Sequence, residues 1–159
     1  RPRAGRGAGR AGGAVRRLAP LAALLAVLAG CDVSTHYYVR NLSDEALEAV
    51  LTLAPPEDYS RTKLELKNGP AEPRLARGAH AGFQPLASRS EGAKVRFSVP
   101  PRTTVFLAEA SAGERLVFAE LALAGKTRKV SVTAATHHDH FKRQGGLFAA
   151  VVNAVLDVR

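Results

Sequence analysis

The densest group of titratable side chains in this 159-residue sequence is the run His137-His138-Asp139-His140. If the backbone is extended there, His138 and His140 project from one face, because side chains alternate along a strand. Two imidazoles at this spacing can chelate one zinc or copper ion, with about 2 Å from each nitrogen to the metal. The run therefore predicts two ligands of a metal site, His138 and His140.

A complete metal site needs at least one further ligand. The sequence offers His36, His80 or a distant carboxylate, and nothing in it tells which of these lies nearby. Lys142 and Arg143 follow the run directly, and their positive charge opposes cation binding. A solvated loop after the last strand is the alternative interpretation of the same residues.

The sequence contains none of the common catalytic motifs. There is no Gly-x-Ser-x-Gly elbow, no phosphate-binding glycine-rich loop that opens a helix, and no metalloprotease His-Glu pair. Serine and histidine occur separately, as they do in most proteins. We therefore predict a protein without catalytic activity, and a metalloenzyme or metal-binding protein is the alternative that the histidine run keeps open.

The sole cysteine of the sequence, Cys31, follows a short apolar segment. Residues 18–29 carry no charge and come after Arg16-Arg17. As a helix this segment would be about 18 Å long, well short of the ~30 Å hydrocarbon core of a bilayer. These proportions are those of a signal peptide, with a positive region followed by an apolar region.

The end of that segment, Leu28-Ala29-Gly30-Cys31, resembles the lipobox of bacterial lipoproteins. The resemblance implies that residues 1–30 are a signal peptide, that cleavage falls between Gly30 and Cys31, and that the Cys31 sulfur carries diacylglycerol. It also implies a partner, the lipid bilayer, and a mature protein anchored in the cell envelope and facing the periplasm. Asp32 favours the inner membrane over the outer one. The alternative is a buried amino-terminal helix with an ordinary core cysteine.

The net charge of +9 is concentrated in the amino-terminal region. Residues 1–31 contain six of the 23 basic residues and none of the 14 acidic ones, so the remaining chain is nearly balanced. A nucleic-acid-binding face needs clustered basic residues on a folded domain, and this distribution argues against it. Residues 1–14 are rich in arginine, glycine and alanine, a composition that indicates disorder. Alternatively, the start of the sequence is assigned too early and Val15 is the true first residue.

Downstream of Cys31, the sequence predicts a mainly β domain. Short runs with alternating apolar residues recur about every ten residues with turn residues between them, which is typical of a single antiparallel β-sandwich of immunoglobulin-like or transthyretin-like layout. The predicted strands are 35–41, 47–53, 62–67, 94–99, 103–109, 116–123 and 128–133. Residues 46–53 could instead begin as a helix behind Ser43, and Pro70–Arg77 is predicted to be irregular.

The carboxy-terminal segment 147–158 is apolar except for Asn153 and Asp157, which would share one face of a helix. A final strand buried on both sides is the alternative, because short apolar runs do not distinguish the two. If exposed, the segment would bind a partner or a membrane, although core packing is the commoner use. Alternation also predicts that Tyr37 and Tyr38 point to opposite sides, with one ring in the core.

Together these patterns divide the chain into a signal peptide at 1–30, a lipidated tether at 31–34, a sandwich at 35–136, and a histidine-rich loop with an apolar tail at 137–159. The predicted function is a membrane-anchored, non-catalytic binding or structural module of the cell envelope. An accessory lipoprotein of an assembly or secretion complex, binding its partner through the apolar tail, is a further alternative.

Overall fold

The computed structural model describes residues 34–55, 64–111, 118–144 and 151–159. The predicted signal peptide, its cleavage position at Gly30 and the lipidation site Cys31 lie outside the described residues. Within them, no helix is both long and apolar enough to span a membrane.

The described part of the chain is mainly β-structure, in agreement with the predicted fold class. Its strands are β1 (Ser34–Asn41), β2 (Leu47–Leu53), β3 (Leu64–Pro70), β4 (Gln84–Pro85), β5 (Ser88–Glu91), β6 (Lys94–Val99), β7 (Thr103–Ser111), β8 (Phe118–Ala124), β9 (Lys129–Thr133), β10 (Lys142–Gln144) and β11 (Val151–Val158). A 3₁₀ turn covers Ala79–Gly82, and α1 is a single helical turn, His137–His140. The alternative of a helix at 46–53 is wrong.

Two sheets pack as a sandwich. Sheet A has the strand order β10-β11-β1-β7-β3-β4, and sheet B has the order β5-β6-β2-β8-β9. All strand pairs are antiparallel except β1 and β11, which run parallel from the pair Ser34 and Val151 to the pair Asn41 and Val158. The predicted antiparallel sandwich is thus correct with one exception, the pair formed by the second and third strands of sheet A.

The core lies between the sheets and follows the period of two in each strand. In β6, for example, Val95, Phe97 and Val99 are buried, whereas Lys94 and Arg96 are exposed. The largest inward-facing side chains come from both sheets: Tyr37, Val39, Val105, Leu107 and Leu156 from sheet A, and Leu47, Leu51, Phe97, Phe118, Leu121, Leu123 and Val132 from sheet B. Phe141, between α1 and β10, joins the same core.

The carboxy-terminal segment forms strand β11, so the predicted helix is wrong and the alternative of a two-sided strand is correct. β11 lies between β10 and β1 and is buried on both faces, with Ala154 and Leu156 on one face and Asn153 and Val155 on the other. Burial on both faces removes the alternation that identifies a half-buried strand. The described part of the segment, residues 151–158, is therefore an integral strand of sheet A and not an exposed apolar tail.

Candidate functional site

The predicted metal-binding run does not have the geometry that the prediction required. Residues His137–His140 form a helical turn, so the expectation of extended backbone is wrong. In a helix successive residues are about 100° apart, which directs His138 and His140 to opposite sides. Among the described residues, no group of three or more His, Cys, Asp or Glu side chains is placed to hold a metal ion.

The other two histidines considered as metal ligands, His36 and His80, lie together elsewhere, on the outer face of sheet A. Strand β1 directs His36, Tyr38 and Arg40 to that face. Although this face is turned away from the core, all three residues are buried, with exposures of 5%, 0% and 6% respectively. A polar row buried on the outside of a sandwich needs something to cover it.

The cover is formed by residues 71–83, which follow β3 and contain the 3₁₀ turn; we call them the covering segment. Arg40 donates to the carbonyls of Glu72 and Pro73. Asn153 Nδ2 donates to the carbonyl of Leu75 over 3.1 Å, and the Leu75 amide donates to Gln144 Oε1 over 3.3 Å. These bonds fix the backbone of the segment to side chains from three strands of sheet A.

Arg40 also forms an ion pair beneath the covering segment. Its Nε and Nη2 donate to the two carboxylate oxygens of Asp157 over 2.7 and 2.9 Å. The two residues are opposite each other in the parallel pairing of β1 with β11. A bidentate guanidinium–carboxylate pair is the strong and directional form of this interaction. It joins β1 to β11 and, because Arg40 also donates to carbonyls of the cover, it joins both strands to the covering segment.

The second half of the covered face is a cluster of titratable groups around His80, which we call the histidine cluster. The rings of His36 and His80 meet edge to face, with centroids 4.7 Å apart. Tyr38 Oη lies 3.1 Å from His80 Nδ1, and His36 Nε2 lies 3.4 Å from Glu109 Oε1. Four groups able to exchange protons are thus in contact, contributed by β1, β7 and the covering segment.

Burial shifts the pKa of two members of this cluster, Tyr38 and His80. Burial raises the pKa of Tyr38 to about 12, so the phenol keeps its proton and acts as a hydrogen-bond donor. Partial burial, followed by the nearby charge of His36, lowers the pKa of His80. Neutral His80 with its proton on Nε2 leaves Nδ1 free to accept the Tyr38 hydrogen bond.

An aromatic layer completes the covered face. The His80 ring stacks on Phe106 at 4.1 Å with an interplanar angle of 11°. Phe83 meets Tyr38 edge to face, with ring centroids 6.4 Å apart. A Cβ atom on Gly69 would lie 2.3 Å from the Phe83 ring, so the strand needs glycine there to admit the cover. With Leu75 and Val155, these rings form a second small hydrophobic core.

The sequence pattern identified the two sides of β1 correctly but not their burial. Tyr37 and Tyr38 do point to opposite sides, with Tyr37 in the main core. Tyr38, on the side away from the main core, is nevertheless completely buried, because the covering segment lies over it. The polar and aromatic residues at positions 36, 38 and 40 are the one sequence signal that could have pointed to this cluster. The segment that covers them begins in a stretch, Pro70–Arg77, that the sequence predicted only to be irregular.

Comparison of the chain with models of protein families, with curated proteins and with solved structures found no match. No family or relative therefore points to an enzyme activity. The likeness to immunoglobulin or transthyretin layouts stays a prediction.

Proposed function

We propose that the chain is a lipid-anchored protein of the bacterial cell envelope whose β-sandwich is a non-catalytic binding or structural module. The observation that carries the proposal is the segment Leu28-Ala29-Gly30-Cys31 at the end of an uncharged run behind Arg16-Arg17. Basic region, apolar region and cysteine stand in the order and at the spacing that lipoprotein processing requires.

The start of the fold supports this proposal. Strand β1 begins at Ser34, so only Asp32 and Val33 separate it from Cys31. At about 3.3 to 3.6 Å per residue, Ser34 is at most about 11 Å from the cysteine backbone. Ser34 pairs with Ser111 and Val151, so this end of sheet A would face the bilayer. Asp32 favours the inner membrane as the site of anchoring.

The strength of anchoring follows from the number of acyl chains. Burial contributes ~0.8 kcal/mol per CH₂ group, so one chain holds a protein marginally, whereas two or three chains hold it firmly. The diacylglycerol and an added amino-terminal acyl group would supply two to three chains. The domain then stays on the periplasmic face of the membrane without a protein segment entering the bilayer.

Two observations support the non-catalytic part of the proposal. In the histidine cluster, His36 and Tyr38 are buried beneath the covering segment, and the sequence contains no Gly-x-Ser-x-Gly elbow, phosphate-binding glycine-rich loop or metalloprotease His-Glu pair. The nearly balanced charge downstream of Cys31 gives no support for a nucleic-acid partner. A protein of the envelope is the partner that the anchored position favours.

The test is to express the full chain and a Cys31→Ser variant in a bacterial host and to separate membrane and soluble fractions. We expect the unaltered chain in the membrane fraction, with a mass that shows loss of residues 1–30 and gain of lipid. Cys31→Ser removes the sulfur that accepts the lipid, so we expect an unlipidated product with its leader uncut.

Asp32→Ser is the matched control, because it leaves residues 28–31 intact. This variant should be lipidated and cleaved as before, with a shift towards the outer membrane as the only change. A Cys31→Ser product that fractionates with membranes at the size of the unaltered chain would show that the lipoprotein assignment is wrong.

A further inference from the structure

The covering segment is held by a contact between two imidazoles that cannot easily both be charged. His36 from β1 and His80 from the covering segment meet with centroids 4.7 Å apart. A second positive charge at that distance repels the first. The other charged groups that influence His80 are Glu109 on β7 and, on β3, Lys67 and Glu65. Lys67 opposes protonation of His80, and the two carboxylates favour it.

The hydrogen bond from Tyr38 to His80 also requires that His80 is not protonated on Nδ1. Tyr38 keeps its proton, because burial raises its pKa to about 12, and therefore needs an acceptor. His80 Nδ1, 3.1 Å away, accepts only while it is unprotonated. A proton on that nitrogen converts the acceptor into a donor and removes one of the bonds that hold the covering segment to β1.

Two further polar atoms on this face are not satisfied while the segment covers them. His36 Nδ1 and Asn153 Oδ1 are buried without a hydrogen-bond partner, and the two residues are opposite each other in the pairing of β1 with β11. A buried polar atom without a partner costs about 1 to 3 kcal/mol. Opening of the segment lets water reach both atoms, so the covered arrangement is easier to loosen than its other bonds suggest.

We propose that the contacts of His80 with His36 and Tyr38 form a pH-sensitive latch: protonation of His80 in mild acid loosens residues 71–83 from sheet A and uncovers the face that carries Tyr38. The latch is a property of the folded domain and does not depend on the lipid anchor.

The direction of the pH dependence follows from the lowered pKa of His80. In the closed form its pKa lies below the ordinary 6.5, whereas the open form regains about 6.5. Between these values the open form binds more protons than the closed one. The closed form is therefore most stable above pH 6.5 and loses stability as the pH falls from there to the lowered pKa of His80. For one proton, the opening equilibrium rises at most about tenfold between pH 7.5 and 5.5.

The experiment is amide hydrogen exchange of the full chain between pH 7.5 and 5.5, corrected for the pH dependence of the chemical exchange step. Peptides that cover residues 71–83 should show up to about a tenfold rise in opening, while peptides from β2 and β8 should not change. His80→Asn keeps an acceptor near the position of Nδ1 but does not titrate. In this variant the rise should disappear.

His138→Asn is the matched control, since His138 is exposed on α1 and is not part of the histidine cluster. It should keep the full pH dependence. The proposal is overturned if residues 71–83 exchange independently of pH in the unaltered chain, or if His80→Asn retains the rise. If His80→Asn does not fold, the NMR titration of the His80 ring in the unaltered chain decides: its midpoint should lie below 6.5, and a midpoint at or above 6.5 would refute the latch.

Discussion

The outer faces of the two sheets differ in burial although the strands that form them have the same alternation. On sheet A, β1 turns His36, Tyr38 and Arg40 outward, and all three are buried beneath the covering segment. On sheet B, β2 turns Glu48 and Val50 outward, and Glu48 is exposed while Val50 is half-buried. Alternation thus decides the side of a sheet on which a residue lies. Whether that side is buried depends on another part of the chain.

The difference also has an energetic consequence. The covered face of sheet A contains an ion pair, a histidine cluster and a second hydrophobic core, so its side chains should contribute to the free energy of unfolding. The open face of sheet B contains surface ion pairs such as Arg96 with Glu91, which contribute little. Matched substitutions on the two faces measure this contrast.

The largest contrast is expected between two arginines. Arg40→Leu leaves Asp157 and two carbonyls of the covering segment without their donor, and removal of one partner of a buried pair costs about 3 kcal/mol. Arg96→Leu removes only a half-exposed ion pair and should cost at most about 0.5 kcal/mol. Urea unfolding at pH 7.5 gives both values; equal effects would mean that the cover does not isolate Arg40 from water.

A smaller contrast is expected between two valines that face outward. Val155 on β11 is buried in the second core, so Val155→Ala should lower the free energy of unfolding by about 2 kcal/mol, the value for two lost methylene equivalents plus a small cavity. Val50→Ala on β2 should cost about 0.5 kcal/mol, mainly through β-propensity. Thermal unfolding of the two variants side by side tests the difference, and a larger loss for Val50 would reverse our view of the two faces.

A contrast of similar size is expected between two glycines, Gly69 in β3 beneath the cover and Gly82 within the covering segment. Gly69→Ala places a methyl group against the Phe83 ring and forces it to move, which should cost about 1 to 2 kcal/mol. Gly82→Ala meets no atom within 4 Å and should be nearly neutral. Beyond unfolding curves, Gly69→Ala should raise amide exchange across the covering segment. A Gly69→Ala variant with unchanged exchange would show that Phe83 does not hold the segment in place.

Strong alternation made much of the fold predictable. Residues 47–53 and 94–99 are strands with the expected bounds, because each has one apolar and one polar side. The strands β4, β5 and β10 were missed, since they are two to four residues long and mostly exposed, and so carry no hydrophobic period. β11 was ambiguous for the opposite reason: it is apolar on both faces.

The histidine cluster could not be predicted, because its contacts join distant parts of the chain. Tyr38 and His80 are 42 residues apart in sequence, and neither belongs to a local motif. The cover itself consists of turns and irregular backbone, whose position depends on tertiary contacts such as that of Leu75 with Asn153. The histidine run at 137–140 was the clearer local pattern, and its extended geometry was wrong because the chain forms a helical turn there.

The parallel pairing of β1 with β11 has a consequence for how the domain acquires its structure. Arg40 and Asp157, which face each other across this pair, are 117 residues apart in sequence. A chain that emerges from its amino-terminal end must therefore keep one edge of its first strand open until its last strand has arrived. Contacts of such long range slow folding, and an open strand edge is a template for aggregation. The interval before residue 151 emerges is the period in which this domain most needs protection by a chaperone.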